Sequence, residues 1–292
     1  MSADNGQPFQ CITVLGPGLI GGSLIRAVRL AFPEAEVRAW ARRDAVVKLL
    51  RDSEGLGDHA TGDLAKAVEG ADLIVLAMPT GAMAGVVEQW KDFGEVGEVL
   101  ITDVGSVKVP VENEVGAMVR EKGGRFIGSH PMAGSEKTGL EFADGELFKG
   151  APVILTPSAG DPEEAAWTER LTRFWQALGA RVSKMPAGEH DQLVASISHL
   201  PHLMAAALVR MVLRENPDAG NFSGGGFRDT TRVSAGPEDM WAGILADNRE
   251  AVLDQLGALI EELESWKEAL DTLDMEQLCG FLSQARKLRE SL

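Results

Sequence analysis

A glycine-rich turn near the N-terminus limits the fold of this chain more than any other feature. Gly16, Gly18 and Gly21 are spaced as G-x-G-x-x-G, between an apolar run at 11–15 and a helical pattern from about residue 20 to 30. Between a strand and a helix, the first glycine permits a tight turn, the second lets a pyrophosphate approach the backbone, and the third lets helix and strand pack closely. Free N–H groups at the helix start favour such an anion. The turn therefore predicts a dinucleotide-binding unit.

The first half of the sequence alternates short apolar runs with helical patterns. Strands that alternate with helices are typical of βαβ units and a parallel sheet. We therefore expect an α/β domain with a doubly wound, Rossmann-type sheet over residues 1–186. The predicted strands are 11–15, 36–41, 73–77, 99–104, 125–128, 153–156 and 181–184, and the predicted helices are 20–30, 44–52 and 162–178.

Strand patterns end after about residue 186, and apolar residues then recur at helical spacing. Helices are predicted at 191–213, 240–270 and 275–288. The three glycines at 224–226 predict a loop that is too short to link independent domains. Residues 187–292 are therefore expected to form a second, all-α domain.

Residues at the carboxyl edge of the predicted sheet bear on which dinucleotide binds. Leu19 and Ile20 open the helix after the glycine turn, and Pro79 stops a strand at the same edge. An NAD site usually carries Asp or Glu at the end of the second strand, for the ribose 2′-hydroxyl. Here no carboxylate fills that position, and Arg42 and Arg43 follow it. We expect one of them to accept a 2′-phosphate, which favours NADP use beside NAD. The alternative is that both are solvated surface arginines.

Ser106 and His130 each follow a predicted strand and are therefore expected at the same edge. An alcohol that loses hydride needs a group to hold or accept its hydroxyl proton, and histidine suits that role near neutral pH. The alternatives are structural, since Ser106 could cap a helix or lie in a turn and His130 could be a core histidine. By position alone Lys108 also points toward this edge.

The helical half supplies a second set of candidates. His199 and His202 are three residues apart and so share one helix face. No acidic residue or third histidine lies one turn away, so we expect no metal and predict that both line the cleft between domains. Arg228, Arg232 and Trp241 follow in the same half. Guanidinium groups bind carboxylates bidentately, although each arginine could equally be a surface charge.

Composition disfavours several classes of function. A formal net charge of −16 repels phosphate backbones, so nucleic acid is not an expected partner. Only two cysteines occur, and neither a disulfide framework nor a metal motif is indicated. The chain has no tyrosine, which excludes a tyrosine phenol as general acid. The sequence shows no signal-type segment and no run approaching 18 apolar residues. We therefore expect a cytoplasmic protein without a membrane partner.

Five motifs, taken together, resemble the prephenate/arogenate dehydrogenase family of tyrosine biosynthesis. They occur in family order between about residues 11 and 250, and the histidine and arginine motifs are much more specific than the glycine turn. The motifs are Gly-Pro-Gly-Leu-Ile-Gly-Gly-Ser at 16–23, Asp-Val-Gly-Ser-Val-Lys at 103–108, Gly-Ser-His-Pro-Met-Ala-Gly-Ser-Glu at 128–136, Ser-His-Leu-Pro-His at 198–202 and Gly-Gly-Gly-Phe-Arg-Asp-Thr-Thr-Arg at 224–232.

The resemblance implies oxidative decarboxylation of prephenate to 4-hydroxyphenylpyruvate, with hydride transfer to the nicotinamide of NAD(P). It implies a monofunctional enzyme, because the chain leaves no room for a fused chorismate mutase. It also implies that residues 187–292 bind substrate and pair into a homodimer. The implied roles are polarising the ring hydroxyl for His130, orienting it for Ser106, binding a substrate carboxylate for Arg232, and lining or supporting the pocket for His202, His199, Arg228 and Trp241.

Three alternatives stay open at this point. Arogenate, which differs from prephenate by an amino group in place of the keto group, is a second substrate that the sequence does not separate from the first. A related β-hydroxyacid dehydrogenase would need a helical Lys-x-x-x-Asn pattern after the first domain, and none is visible at 184–205. A cofactor-sensing binding protein would keep the glycine turn but would have no use for Ser106, His130 and Arg232 together.

Overall fold

Six parallel strands form the central sheet in the computed structural model, which describes residues 7–53, 55–56, 59–90, 99–134, 139–158 and 162–291. The strand order is β3-β2-β1-β4-β5-β6, so the chain reverses direction across the sheet between β1 and β4. In doubly wound sheets, ligands bind at such a reversal, outside the carboxyl ends of the strands. The strands are β1 Cys11–Leu15, β2 Glu36–Trp40, β3 Ala60–Thr61, β4 Leu73–Leu76, β5 Leu100–Asp103 and β6 Arg125–Phe126.

Helices cover both faces of this sheet. Because side chains alternate along a strand, Ile12 and Val14 of β1 face one apolar cluster and Leu15 faces the other. Both faces of the strand are therefore buried, as its continuous apolar sequence predicts. The helices of the first half are α1 Leu19–Ala31, α2 Asp44–Asp52, α3 Leu64–Val68, α4 Thr80–Val87, α5 Val109–Val111, α6 Ala117–Glu121 and α7 Pro162–Ala177, with a π-helical turn at Glu112–Gly116 and a 3₁₀ turn at Leu140–Phe142.

A second, three-stranded sheet contains β7 Gly128–Pro131, β8 Pro152–Thr156 and β9 Arg181–Lys184. Strand β7 runs antiparallel to β8, and β8 runs parallel to β9. The predicted strand 125–128 is thus wrong in extent, because β6 ends at Phe126 and the chain enters the other sheet at Gly128. The Asp103 carboxylate accepts the Ser129 N–H and holds β7 beside β5. His130 consequently lies within a strand rather than after one.

From Ala187 onward the described chain is helical, which confirms the predicted all-α second half. The predicted helix 240–270 is two helices, because the backbone leaves helical geometry at Asn248. The predicted loop at 224–226 is shorter than expected, since α10 already begins at Gly225. The helices are α8 Ala187–Val194, α9 Leu200–Glu215, α10 Gly225–Thr231, α11 Glu238–Asp247, α12 Arg249–Asp271 and α13 Met275–Glu290, with a π-helical turn at Ala195–His199 and 3₁₀ turns at Pro217–Phe222 and Arg232–Ala235.

The π-helical turn joins α8 and α9 into one run, Ala187–Glu215. Asp191, His199 and His202 of this run are all buried. The run has 29 residues and a window of mean hydropathy 1.3, which is long and apolar enough to cross a membrane by length and composition alone. This is weak evidence, because core helices pass the same test, and here the buried side chains of the run include three histidines and one aspartate.

Candidate active site

The glycine turn forms a cradle at the carboxyl end of β1. Gly16 has φ +75°, and a Cβ there would lie 2.8 Å from the Met78 Cβ, so only glycine fits. A Cβ at Gly18 would meet nothing within 4 Å, which leaves its backbone open to a ligand. Helix α1 starts after Gly18 without a side-chain cap, so its first N–H groups are available to an anion. These residues fit the pyrophosphate of a dinucleotide.

Two further glycines of the turn explain how the cradle is supported. A Cβ at Gly21 would lie 2.9 Å from the Ala77 Cβ, which shows how closely α1 packs on the sheet. A Cβ at Gly22 would lie 2.5 Å from the Leu140 Cδ1, because the 3₁₀ turn packs directly on α1. The fingerprint assigns no role to Gly22, and the sequence reasoning did not single it out.

The other cofactor candidates lie at the same edge of the sheet. Leu15 at the end of β1 is paired with Trp40 on one side and Leu76 on the other, so the residues that follow these three strands meet there. Arg42 and Arg43 follow β2 and are exposed, and Pro79 immediately precedes α4. Leu19 and Ile20 form the start of α1 and are partly buried.

His130 belongs to a buried chain of three side chains. Its Nδ1 lies 2.8 Å from Nε2 of His190, and the Nδ1 of His190 lies 2.7 Å from Oδ1 of Asp191. Asp191 in turn accepts the backbone N–H groups of Lys108 and Val109, at 2.8 Å each. The chain thus runs from β7 through α8 to the start of α5. Sequence reasoning missed His190, for which an adjacent His–Asp pair at a helix start was the only local sign.

A buried ion pair anchors this chain to the central sheet. Lys108 donates from Nζ to Asp103 at the end of β5 and, at 2.8 Å, to the carbonyl oxygen of Ser129. Both charged groups are almost fully buried. The pair fixes β7, and with it His130, beside the end of β5. Ser106 lies between Asp103 and Lys108 in the sequence and is partly buried, and its hydroxyl has no hydrogen-bond partner among the described residues.

The alternative role of Ser106 as a helix cap is not supported, because Lys108 holds the residue position before α5. Ser106 instead lies on the loop that leaves β5 at the ligand-binding edge of the sheet. Ser135 and Glu136, which complete the 128–136 motif, lie outside the described residues. In the described part of that motif, His130 immediately precedes Pro131, the last residue of β7.

Two histidines of the helical half, His199 and His202, form a cluster with Trp241, and Asn248 connects this cluster to Asp191. The ring of His202 stacks on Trp241 with centroids 3.5 Å apart and planes 13° apart, and His199 meets the edge of the same indole at 6.3 Å. Asn248 donates to the Asp191 carbonyl oxygen at 2.8 Å and lies 3.1 Å from Nδ1 of His199. The break between α11 and α12 therefore places Asn248 in contact with both Asp191 and His199. Within the described ranges no three His, Cys, Asp or Glu side chains are arranged to hold a metal ion.

The two arginines are placed differently from the histidines. Arg228 is exposed on α10, and its Nε donates to the Ser223 hydroxyl at 3.2 Å. Arg232 is exposed at the start of the 3₁₀ turn that leads to Gly236. A Cβ at Gly236 would lie 2.4 Å from Nε1 of Trp241, so this glycine allows the turn to pack on the indole. The structure brings Trp241 to the histidines but leaves both guanidinium groups at the surface of the single chain.

Burial favours the neutral form of three histidines of the site, His130, His199 and His202, by lowering their pKa values. It lowers the pKa of His130 well below its ordinary value, and the nearby Lys108 ammonium lowers it further. Burial also lowers the pKa of His199 to about 4, although the Asp191 charge opposes this, and it lowers the pKa of His202. A neutral imidazole has a free lone pair and can accept a proton.

These lowered pKa values predict that the folded chain loses stability in mild acid. An unfolded histidine takes up a proton below about pH 6.5, whereas His199 in the folded chain stays neutral down to about pH 4. The contribution of His199 to stability is therefore complete above pH 6.5 and is lost as the pH falls toward 4. In urea unfolding experiments between about pH 7 and 5, the free energy of unfolding should decrease as the pH is lowered. The variant His199→Gln should reduce the slope of this dependence by about 1.4 kcal/mol per pH unit. The exposed His59, changed to Gln, is the control, and equal slopes in both variants would contradict the prediction.

Comparison with known proteins places this geometry in a family. Residues 41–184 match the nucleotide-binding domain of prephenate dehydrogenase, and residues 186–284 match its dimerization domain. A cyclohexadienyl dehydrogenase of Zymomonas mobilis is 34% identical over 97% of this chain and 96% of its own length. The prephenate dehydrogenase of Bacillus subtilis is 32% identical over 96% of this chain and 76% of its own length.

Solved structures agree with the sequence relatives. The prephenate dehydrogenase of Aquifex aeolicus, in complex with hydroxyphenyl propionate and NAD+, superposes with a TM-score of 0.87 at 27% identity and covers 97% of this chain and 98% of that one. Arogenate dehydrogenase of Synechocystis gives 0.79 at 28% identity, over 97% and 99%. The resemblance predicted from the five motifs is confirmed, and the chain belongs to the prephenate dehydrogenase family.

Proposed function

We propose that this protein catalyses the NAD(P)-dependent oxidative decarboxylation of prephenate to 4-hydroxyphenylpyruvate. The observation that carries the proposal is a buried His130, which Asp103 and Lys108 hold beside the end of β5, in the half of the chain whose glycine cradle fits a dinucleotide. Family membership and relatives described as prephenate dehydrogenases support it. The first family match ends at residue 184 and the second begins at residue 186. These bounds support a division into a cofactor domain 1–186 and a substrate and dimerisation domain 187–292.

The proposed reaction needs no covalent bond between the protein and the substrate. The glycine cradle would hold the pyrophosphate of the cofactor, whose nicotinamide would supply the acceptor for the hydride on the ring carbon that bears the hydroxyl. His130 accepts the hydroxyl proton as the carbon–oxygen double bond forms, and Ser106 orients that hydroxyl. Loss of the ring carboxylate as CO₂ leaves its bonding electron pair in the ring, which becomes aromatic, and the proton returns to the oxygen. Aromatisation drives the reaction, so positioning and charge stabilisation are what the residues supply.

The remaining candidates would hold the substrate. His202, which is buried, stacks face to face on the partly buried Trp241, and this aromatic pair can form one wall of a substrate pocket. His199 and Arg228 would support the pocket, and Arg232 would bind a carboxylate of the substrate. Because both arginines are exposed in one chain, we infer that the pocket is completed when two chains pair.

A homodimer through the helical half fits the surface of that half. Among the described residues, α12 leaves a row of large apolar side chains exposed at helical spacing, and only 28% of the apolar window of Ala187–Glu215 is buried in the single chain. Such surface is typical of an interface. The match to a dimerization domain supports this. The exposed residues of α12 are Leu253, Ile260, Leu263 and Leu270. With relatives that are biosynthetic dehydrogenases, we also infer a cytoplasmic location.

The role of Arg232 can be tested by its loss. Arg232→Ala should raise the KM for the substrate by about 10-fold to 100-fold, because a charge-assisted hydrogen bond contributes about 1.5–3 kcal/mol. The kcat should change by much less. Steady-state kinetics of both variants measures the difference, with Arg214→Ala as a control on an exposed arginine of α9. An unchanged KM would remove Arg232 from the carboxylate role.

One assay tests the function and the cofactor together. Formation of NADH or NADPH is followed with prephenate and with arogenate, each with NAD and with NADP. We expect turnover of prephenate, and use of NADP because Arg42 and Arg43 replace the usual carboxylate after β2. Turnover of arogenate instead would favour the second candidate, which the similarity to an arogenate dehydrogenase supports. No turnover in any of the four combinations would reject the enzyme, and a strong preference for NAD would reject the role of the arginines.

A further inference from the structure

His130 can accept a hydroxyl proton only if the nitrogen facing the substrate is bare. A neutral imidazole carries a proton on one nitrogen and a lone pair on the other, and the partner of the second nitrogen decides which is which. In this structure the nitrogen of His130 that faces the protein is Nδ1, which lies 2.8 Å from Nε2 of His190. What decides the tautomer of His130 is therefore the tautomer of His190.

Asp191 fixes the tautomer of His190. Its carboxylate accepts N–H groups from Lys108 and Val109, and a carboxylate in that setting can only accept from the ring nitrogen 2.7 Å away. Nδ1 of His190 must then carry a proton and donate it, which leaves Nε2 bare. A bare Nε2 accepts in turn from Nδ1–H of His130. The reverse order would set the lone pair of His190 against the carboxylate.

We propose that His190 and Asp191 are positioning residues that hold His130 as the Nδ1-protonated tautomer, so that its Nε2 is the acceptor for the substrate hydroxyl. Neither residue touches the reacting atoms. All three side chains are buried, so water cannot readily exchange the roles of the two nitrogens. When His130 takes up the proton, the negative charge of Asp191 lies one ring away and stabilises the positive charge on the ring pair. The catalytic part of the proposal rests on the proposed function, whereas the tautomer itself does not.

The tautomer can be measured without substrate. In full-length protein labelled with ¹⁵N-histidine, nitrogen shifts distinguish a protonated ring nitrogen from a bare one, and the chain has only five histidines to assign. Loss of one set of signals in His130→Asn identifies His130. We expect protonated Nδ1 and bare Nε2 in the wild type. A protonated Nε2 on His130 would overturn the proposal, whatever the enzyme turns over.

Kinetics of two His190 variants test the consequence. His190→Leu removes the acceptor for Nδ1–H of His130, and kcat should fall by about 100-fold to 10,000-fold, as when a tautomer-fixing carboxylate is lost elsewhere, with KM nearly unchanged. His190→Gln keeps the polarity, because its carbonyl oxygen accepts from His130 and its amide donates to Asp191. We expect His190→Gln to stay within about 10-fold of wild type.

The two variants also separate positioning from simple packing. His59→Leu on the surface is the control for the substitution itself. Equal losses in His190→Leu and His190→Gln, with the folded state retained by circular dichroism, would overturn the proposal, since hydrogen-bond polarity would then not matter. A full rate in His190→Leu would overturn it as well. Absence of turnover in the wild type would instead reject the proposed function, and the ¹⁵N measurement would still decide the tautomer.

Discussion

Replacing His130 by asparagine should lower kcat by about 100-fold to 10,000-fold while leaving the Kd of the cofactor nearly unchanged. Asparagine is smaller than histidine, and its amide can still donate to Nε2 of His190, so the buried chain is kept. It has no basic nitrogen, so the hydroxyl proton has no acceptor. Steady-state rates give kcat, and quenching of tryptophan fluorescence by NADH gives the Kd.

The glycine cradle explains why the two quantities should separate. His130 lies on β7 in the second sheet, whereas Gly16 and Gly18 lie at the end of β1 in the first. His59→Asn is the matched control, because His59 is exposed and immediately precedes β3 at the edge of the first sheet. A kcat within about 5-fold of wild type in His130→Asn would show that another group accepts the proton, and would leave His130 as a core histidine.

Replacing Lys108 by methionine should lower the free energy of unfolding by about 3–5 kcal/mol, because it leaves the Asp103 carboxylate buried without its partner. Burial already lowers the pKa of the Lys108 ammonium, and the adjacent Asp103 charge opposes that shift. Methionine has a similar length, so the loss of packing is small. Chemical denaturation of the wild type and the variant measures the difference.

Two further variants test whether the loss of stability comes from the unpaired buried charge. Lys66→Met breaks an exposed pair with Asp63 at 3.7 Å and should cost less than about 1 kcal/mol. Adding Asp103→Asn to Lys108→Met removes the unpaired charge while the amide oxygen can still accept the Gly105 N–H, so part of the stability should return. A loss in Lys108→Met no larger than in Lys66→Met would mean that water reaches Asp103 and relieves the charge.

The parts of the fold that were predictable from sequence are those that local rules decide. The glycine spacing fixes a strand–turn–helix, because the φ of +75° at Gly16 is a backbone requirement that no other residue meets cheaply. Apolar runs such as β1 and β4 must be buried wherever they occur. The transition to helices after residue 186 follows from the change of hydrophobic period alone.

The parts that were not predictable depend on contacts between distant residues. His190 contacts His130, which is 60 residues away in the sequence, and no local sequence pattern around either residue indicates this contact. The separation of β6 from β7 depends on Asp103 and Lys108 pulling Ser129 away, which is a tertiary effect. Asn248 interrupts a helix that its own sequence pattern favours, because its side chain bonds to the Asp191 carbonyl oxygen.

Asp191 has a consequence for how the molecule can move. Its side chain bonds to the backbone at Lys108 and Val109, and its carbonyl oxygen bonds to Asn248, so one residue ties the sheet-bearing half to two parts of the helical half. A second tie joins Thr80 to Asp247 at 2.5 Å. If the halves rock apart to admit and release ligands, the rotation axis must pass near these bonds, where displacement is smallest. His130 would then stay linked to His190 and Asp191 through every opening.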